Sequence, residues 1–207
     1  MPREQAGEPM NQDDVPETEP FTPFQRWFRL ATDSEKLAEA MTLATATPDG
    51  RPSLRALLLK GADARGFVFY TNFESRKAEQ LFANPRAAMC FHWKSLERQL
   101  RIEGATEVVS DAEADAYFFS RPRQSRIAAL ASAQSRPLGS RHELEDAFSR
   151  AEREYPEPTP VPRPAYWSGF RLVPDRIEFW QERPHRLHDR VVFDRDGTAW
   201  RKQRLYP

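Results

Sequence analysis

The sequence predicts an α+β protein built on a small antiparallel barrel, with helices inserted between the strands. Three observations carry this. Apolar runs of strand length recur along the chain, separated by turn signals such as Pro48-Asp49-Gly50, Asp63-Ala64-Arg65-Gly66 and Asp194-Arg195-Asp196-Gly197. Helical patterns interrupt those runs without strict strand–helix alternation. Neither a Gly-rich dinucleotide fingerprint nor a P-loop occurs, so a nucleotide-like ligand would not be held in the Rossmann manner.

The elements read in order as follows. Residues 1–20 are polar, acidic and Pro-containing, which predicts a disordered or loosely attached tail before a single domain over residues 21–207. Thr22-Pro23-Phe24-Gln25 predicts a helix start, with Thr22 as N-cap, Pro23 in the first turn and Gln25 closing a capping box. Phe24, Trp27 and Phe28 then share one helical face. Strands are expected at Met41–Thr47, Leu54–Leu59 and Phe67–Thr71, with a hairpin between the last two. A helix over Ser75–Phe82 stops at Asn84-Pro85. Strands follow at Ala87–Trp93 and Gln99–Val109. Ser110 and Glu113 form a second capping box, opening a helix through Tyr117. A further helix runs from about Arg141 to Tyr155, and the Pro-rich stretch Pro156–Pro164 must be an extended connector. The C-terminal part predicts strands at Gly169–Val173, Ile177–Trp180 and Leu187–Phe193, and a last one near Trp200.

Composition narrows the function. The chain has 207 residues, 39% hydrophobic and 12% aromatic, enough for one domain with a sizeable core. No apolar stretch approaches the ~20 residues of a membrane span, and the N-terminus lacks the pattern of a secretory signal. Cys90 is the only cysteine, which excludes an intramolecular disulfide and fits a reducing cytoplasm. Within residues 1–23 six acids face Arg3 alone, a net charge of about −5 that leaves the rest of the neutral chain at about +5. A mildly basic domain suits small anions such as phosphate esters. Nucleic acid is disfavoured, because the basic residues are scattered among acids. Four His and one Cys give no zinc spacing, so no metal is expected, and no G-x-S-x-G elbow supports a hydrolase.

Several segments carry anion chemistry. Arg55 and Lys60 flank an apolar strand; five apart, they point to opposite faces unless a bulge re-aims one, and solvated strand ends are the bland alternative. Tyr70 and Thr71 end a strand, and Arg76 and Lys77 open the next helix, where their charge opposes the helix dipole unless an anion binds. Tyr117 and Arg121 share a helix face, with Ser125 after Pro122; all three can donate to a phosphate, though an ordinary helix surface would look alike. If extended, Arg186, His188 and Arg190 line one strand face, where they repel unless solvent or an anion meets them. Trp167, Phe179 and Trp180 read as core aromatics, although Trp180 could edge a flat heterocycle.

Together these segments resemble the pyridoxamine 5′-phosphate oxidases. The resemblance runs from about Phe24 to Pro207, through Arg55–Lys60, Phe69–Asn72 with Ser75–Lys77, Glu97–Gln99, Tyr117–Arg123, Gln134-Ser135, Ile177–Gln181, Arg186–Arg190 and the ending Arg204–Pro207. It implies an antiparallel split β-barrel, a homodimer, and FMN bound at the subunit interface. By position it implies FMN contacts from Arg55, Lys60, Tyr70, Thr71, Arg76, Lys77, Gln99, Gln134, Ser135, Trp180 and Arg190. It assigns the substrate phosphate to Lys60, Tyr117, Arg121 and Ser125, and sets Arg186 and His188 over the substrate ring as the catalytic pair. The implied reaction oxidises pyridoxine or pyridoxamine 5′-phosphate to pyridoxal 5′-phosphate, with dioxygen as acceptor and hydrogen peroxide as product. A phenazine-type flavin oxidase of the same fold and a non-catalytic binder of FMN or pyridoxal phosphate are the rivals. One departure stands out: many members carry an Arg-x-x-Tyr-type lid segment before the first helix, and the acidic tail has no equivalent.

Overall fold

The computed structural model describes residues 19–207; residues 1–18 of the expected tail lie outside the described residues. Helix α1 (Phe21–Ser34) leads into β1 (Ala40–Ala46), β2 (Pro52–Leu58), β3 (Gly61–Asp63) and β4 (Gly66–Asn72). Helix α2 (Arg76–Ala83), β5 (Arg86–Trp93) and β6 (Arg98–Val108) come next. Three helices follow, α3 (Asp111–Ser120), α4 (Arg123–Ala131) and α5 (Arg141–Glu154), and then β7 (Trp167–Gln181), β8 (Asp189–Asp196) and β9 (Ala199–Arg204). The strands form one antiparallel sheet in the order β2-β1-β5-β6-β7-β4-β3, with β8 and β9 added alongside β7.

Helix α1 starts differently from its sequence reading. Its N-cap is Pro20, and Thr22 lies inside the helix without a capping bond. The Glu19 carboxylate accepts from the Phe21 N–H at 2.6 Å and from the Thr22 N–H at 3.1 Å. An ionised carboxylate at a helix N-terminus is a stronger acceptor than a hydroxyl and also complements the dipole, so Glu19 displaces the Thr22–Gln25 box. The Ser110–Glu113 capping box at α3 forms as the sequence predicts.

The apolar face of α1 closes the barrel. Phe24 meets Phe67 edge-on at 4.9 Å, and Trp27 meets Phe179 at 5.1 Å. Leu43, Met89, Leu100, Ile102 and Phe193 complete the core from four strands, all at most 1% exposed. Each such side chain contributes about 1.5–3 kcal/mol by leaving water.

Strand β7 organises the sheet. The sequence predicts two strands, Gly169–Val173 and Ile177–Trp180, but the strand is continuous over 15 residues. It pairs with β4 through residues 167–172 and with β8 through residues 176–181, while β6 runs along its opposite edge. Pro174 falls in the gap between β4 and β8, where no ladder partner is needed on that edge. On the other edge the register shifts between Glu103 and Gly104, which absorbs the irregularity. A Cβ on Gly104 would collide with the Val173 carbonyl, so the bulge requires glycine.

Candidate active site

A cavity of about 610 Å³ opens where the ends of β2 and β4 meet α2, α3 and α4. That volume lies in the range of small-molecule sites. Eight of the site residues named from the sequence line it: Lys60, Tyr70, Thr71, Lys77, Tyr117, Arg121, Ser125 and Gln134. Among the described residues its cations are Lys60, Lys77 and Arg121, and its lining contains no Asp or Glu.

Lys77 is the most constrained of them. It lies in the first turn of α2, is only 9% exposed, and donates from Nζ to Thr71 Oγ1 at 2.7 Å, Gln134 Oε1 at 2.7 Å and Ser75 Oγ at 3.0 Å. All three acceptors are neutral. Burial, reinforced by the nearby Arg55 charge, lowers the lysine pKa to about 8. Ser75 is the N-cap of α2, but its hydroxyl donates to the Asn72 carbonyl at 2.6 Å instead of capping the helix. The helix start therefore keeps free N–H donors beside two cations, an arrangement an anion would relieve.

Arg55 lies on β2 and, unlike Lys60, does not line the cavity. Its guanidinium donates to Thr45 Oγ1 and Ser53 Oγ, both at 2.6 Å, and burial with the Arg76 charge pulls its pKa below the usual arginine value. Strand β2 ends at Leu58, so Lys60 sits past the strand and turns into the cavity.

Tyr117 and Arg121 do not share a helix. Helix α3 ends at Ser120, and Arg121 adopts φ −73° and ψ 149°, because a residue before proline avoids the helical region. Pro122 then caps α4, a helix the sequence reading did not delimit. The break nonetheless directs Tyr117, Arg121 and Ser125 into one cavity. The rings of Tyr70, Tyr117 and Trp167 form a nearly parallel cluster: Tyr70 lies 4.1 Å and 17° from Tyr117 and 5.4 Å and 4° from Trp167, and Tyr117 lies 6.1 Å and 13° from Trp167. Arg121 lies 4.9 Å from the Trp167 ring centroid. Trp167 thus lines the site, although from the sequence it read only as a core aromatic. Gly169, opposite Tyr70 in the β4–β7 register, makes room for the stack: a Cβ there would approach Tyr70 Cδ1 to 2.8 Å.

The remaining candidates lie elsewhere in the chain. Gln99 and Arg190 flank Trp180 on β6, β7 and β8. Trp180 packs 4.6 Å from the His188 ring. Trp180 and Trp167 stand near opposite ends of β7, which at about 3.3 Å per residue spans roughly 45–50 Å along the chain. The extended reading of Arg186–Arg190 holds only for its end. Residues Pro184–Arg186 form a 3-10 turn, His185 and Arg186 have φ near +60°, and β8 starts at Asp189. Pro184 opens the turn, which takes Arg186 and His188 out of the strand. Arg190 does not add to a cationic face, because its Nε donates to the buried Glu178 carboxylate at 2.8 Å. His188 Nδ1 accepts the Arg183 backbone N–H at 3.1 Å. The neutral ring therefore carries its proton on Nε2 and offers a donor there. Ser135 also has a positive φ, 72°, beside Gln134. Backbone strain at Ser135 and Arg186 marks two residues that the sequence reading had singled out.

Among the described residues no group of three or more His, Cys, Asp or Glu could hold a metal ion, and no helix is long and apolar enough to cross a membrane.

Comparison with known proteins places this arrangement. Residues 31–154 match the family model described as pyridoxamine 5′-phosphate oxidase, and residues 167–207 match the pyridoxine 5′-phosphate oxidase C-terminal dimerisation region. The chain is 60% identical over 190 residues to a pyridoxine/pyridoxamine 5′-phosphate oxidase of Gluconobacter oxydans, covering 91% of this chain and 94% of that one. It is 57% identical over 195 residues to the corresponding protein of Rhodospirillum rubrum, covering 91% and 96%. A solved structure of PhzG from Burkholderia lata, in complex with tetrahydrophenazine-1-carboxylic acid, superposes with a TM-score of 0.90 at 32% identity, covering 98% of this chain and 100% of that one. An FMN-binding protein from Nostoc punctiforme related to pyridoxamine 5′-phosphate oxidase shares the fold, with a TM-score of 0.75 at 20% identity. The split barrel expected from the sequence is therefore the fold observed, and the chain belongs to the pyridoxine/pyridoxamine 5′-phosphate oxidase family.

Proposed function

We propose that this protein is an FMN-dependent oxidase that converts pyridoxine or pyridoxamine 5′-phosphate to pyridoxal 5′-phosphate. The observation that carries the reading is a cation-lined cavity without carboxylates in a chain 60% identical to a pyridoxine/pyridoxamine 5′-phosphate oxidase. FMN, when bound, would accept the hydride leaving the substrate's 4′ carbon and pass the electrons to dioxygen, giving hydrogen peroxide. The protein's part is to bind and orient. Lys77, Arg76 and Arg55, with Thr71, Gln134 and Ser135, would hold the cofactor phosphate and ribityl chain. The neutral partners of Lys77 fit that role, since a carboxylate partner would compete with a phosphate. Lys60, Tyr117, Arg121 and Ser125 would hold the substrate phosphate.

Gln99, Trp180, Arg186, His188 and Arg190 would reach the same site from a second subunit. Support comes from their place in the fold: the last four fall within the matched dimerisation region, residues 167–207, and none of the five lines the cavity of its own chain. The functional unit is then a homodimer, with Arg186 over the substrate ring as a proximity device and His188 donating from Nε2. A monomer that binds FMN and turns over at micromolar concentration would refute the shared site. A cytoplasmic location accords with the single cysteine, Cys90.

Two measurements test the main reading. The purified protein should show a flavin spectrum and release FMN on denaturation. Adding pyridoxine 5′-phosphate under air should then produce peroxide. A bound flavin without turnover would favour the non-catalytic binder. Equal use of pyridoxine and its phosphate would favour a phenazine-type oxidase like PhzG.

Lys77 predicts a pH dependence. A bound phosphate favours the protonated amine, whereas in the free site that amine titrates at about 8. FMN affinity should therefore be full below pH 8 and fall as pH rises above it, by up to about tenfold per unit. Fluorescence titrations between pH 7 and 9.5 measure this. Lys77→Arg, which cannot deprotonate in that range, should flatten the profile. A wild-type dissociation constant independent of pH would remove Lys77 from the phosphate site.

A further inference from the structure

Arg121 is held in an unusual way. Among the described residues no carboxylate pairs with it; its neighbours are the rings of Trp167, Phe118 and Tyr117 and a second cation, Arg126. Its guanidinium carbon is 4.9 Å from the Trp167 centroid and 5.8 Å from that of Phe118. Its Nη1 is buried and has no hydrogen-bond partner among the described residues. A carboxylate would occupy the in-plane N–H donors of a guanidinium. An indole face attracts the cation without accepting its N–H hydrogen bonds, and so leaves those donors free.

The indole is itself fixed. It is 7% exposed, its plane is within 4° of the Tyr70 ring, and Tyr70 is in turn stacked on Tyr117. Gly169 keeps the space in which Tyr70 crosses the strand. Arg163 closes the far side, donating to the Trp167 carbonyl at 2.9 Å and to Asp115 of α3 at 2.6 Å.

We propose that Trp167 is a positioning residue for the substrate phosphate: it holds Arg121 by its π-face so that the guanidinium N–H groups stay free for an oxyanion. The inference rests on the proposed oxidase reading for the identity of the oxyanion. It goes beyond that reading in giving Trp167, and the ring stack behind it, a share in substrate affinity.

The test uses the FMN-loaded protein and two readouts. The first is equilibrium binding of pyridoxal 5′-phosphate and of unphosphorylated pyridoxal. The second is steady-state oxidation of pyridoxine 5′-phosphate. Trp167→Leu should weaken binding of the phosphorylated ligand about 3- to 30-fold and raise KM similarly. Binding of pyridoxal, kcat and the flavin spectrum should stay within about twofold of the wild type. Trp167→Phe, which keeps a weaker π-face, should fall between, and it serves as the test if the leucine variant does not fold. In an Arg121→Ala background neither substitution should weaken phosphate binding further. Equal losses for pyridoxal and its phosphate, or additivity with Arg121→Ala, would reduce Trp167 to a packing residue and overturn the proposal. A wild type that binds the phosphate tightly but makes no peroxide would instead count against the oxidase reading and leave the Trp167 comparison intact.

Discussion

Replacing Arg121 with Ala is expected to raise KM for pyridoxine 5′-phosphate at least a hundredfold, with the flavin spectrum and FMN content unchanged. The guanidinium is the one planar, two-pronged donor in the cavity, and one of its nitrogens is buried without an acceptor among the described residues. Two charge-assisted hydrogen bonds are worth about 1.5–3 kcal/mol each, and each 1.4 kcal/mol is a factor of ten. The phosphate sits away from the reacting 4′ carbon, so the loss falls on ground and transition state alike and appears in KM more than in kcat. Unphosphorylated pyridoxine, which never uses Arg121, should be oxidised equally poorly by wild type and variant. Peroxide assays on both substrates with both proteins decide it. A variant that loses FMN, or a KM that stays within a few-fold, would take Arg121 out of the substrate-phosphate site.

Most strands were legible because their apolar runs and turn residues agree. Met41, Leu43, Phe67, Phe69, Met89 and Phe91 alternate along predicted strands and fill the core. Two failures have physical causes. The sequence predicts two strands, Gly169–Val173 and Ile177–Trp180, but a register shift against β6 and a gap between β4 and β8 let one strand run through Pro174. Residues 186–190 read as a strand because their residue types alternate, yet Pro184 and two left-handed residues turn the chain first. In the site, residue types such as Lys77 beside Ser75 were readable, because a cation at a helix start is a local conflict. Trp167 was not, since its partners Tyr70, Tyr117 and Arg121 lie 46 to 97 residues earlier and only the fold unites them.

Arg171 is the charge whose loss should cost the fold most. It was read only as part of a strand, but its side chain is 3% exposed on β7 and meets acids from three elements. Its nearest contact is Glu113 of α3 at 2.5 Å, followed by Asp63 of β3 at 3.4 Å and Glu107 of β6 at 3.5 Å. Glu113 also accepts from the Ser110 N–H and hydroxyl in the capping box. One guanidinium thus fixes the start of α3 against the sheet, and α3 carries Tyr117 and leads directly into Arg121. The acid partners of Arg171 keep a third or more of their side chains in water, so the loss is that of hydrogen bonds to charged groups, about 1.5–3 kcal/mol, together with the packing of the buried stem, out of the roughly 5–15 kcal/mol that stabilises a domain. Arg171→Ala should therefore lower Tm by on the order of 5 °C. It should also weaken substrate-phosphate binding, by freeing the wall that holds Tyr117 and Arg121. Acid should erase the difference. Hydrogen bonding from the Arg65 side chain lowers the Asp63 pKa; for Glu113, desolvation pushes the pKa up, but hydrogen bonds from Ser110 and the Arg171 charge outweigh it and leave it lowered. Groups with depressed folded-state values stabilise the fold above their unfolded values, about 4, and lose that contribution as pH falls through the folded ones. The gap between wild type and Arg171→Ala should accordingly be full near neutrality and shrink below about pH 4. Denaturant unfolding of both proteins at pH 7 and pH 3.5 measures this, and a gap under 1 kcal/mol at pH 7 would show that Arg171 does not anchor α3.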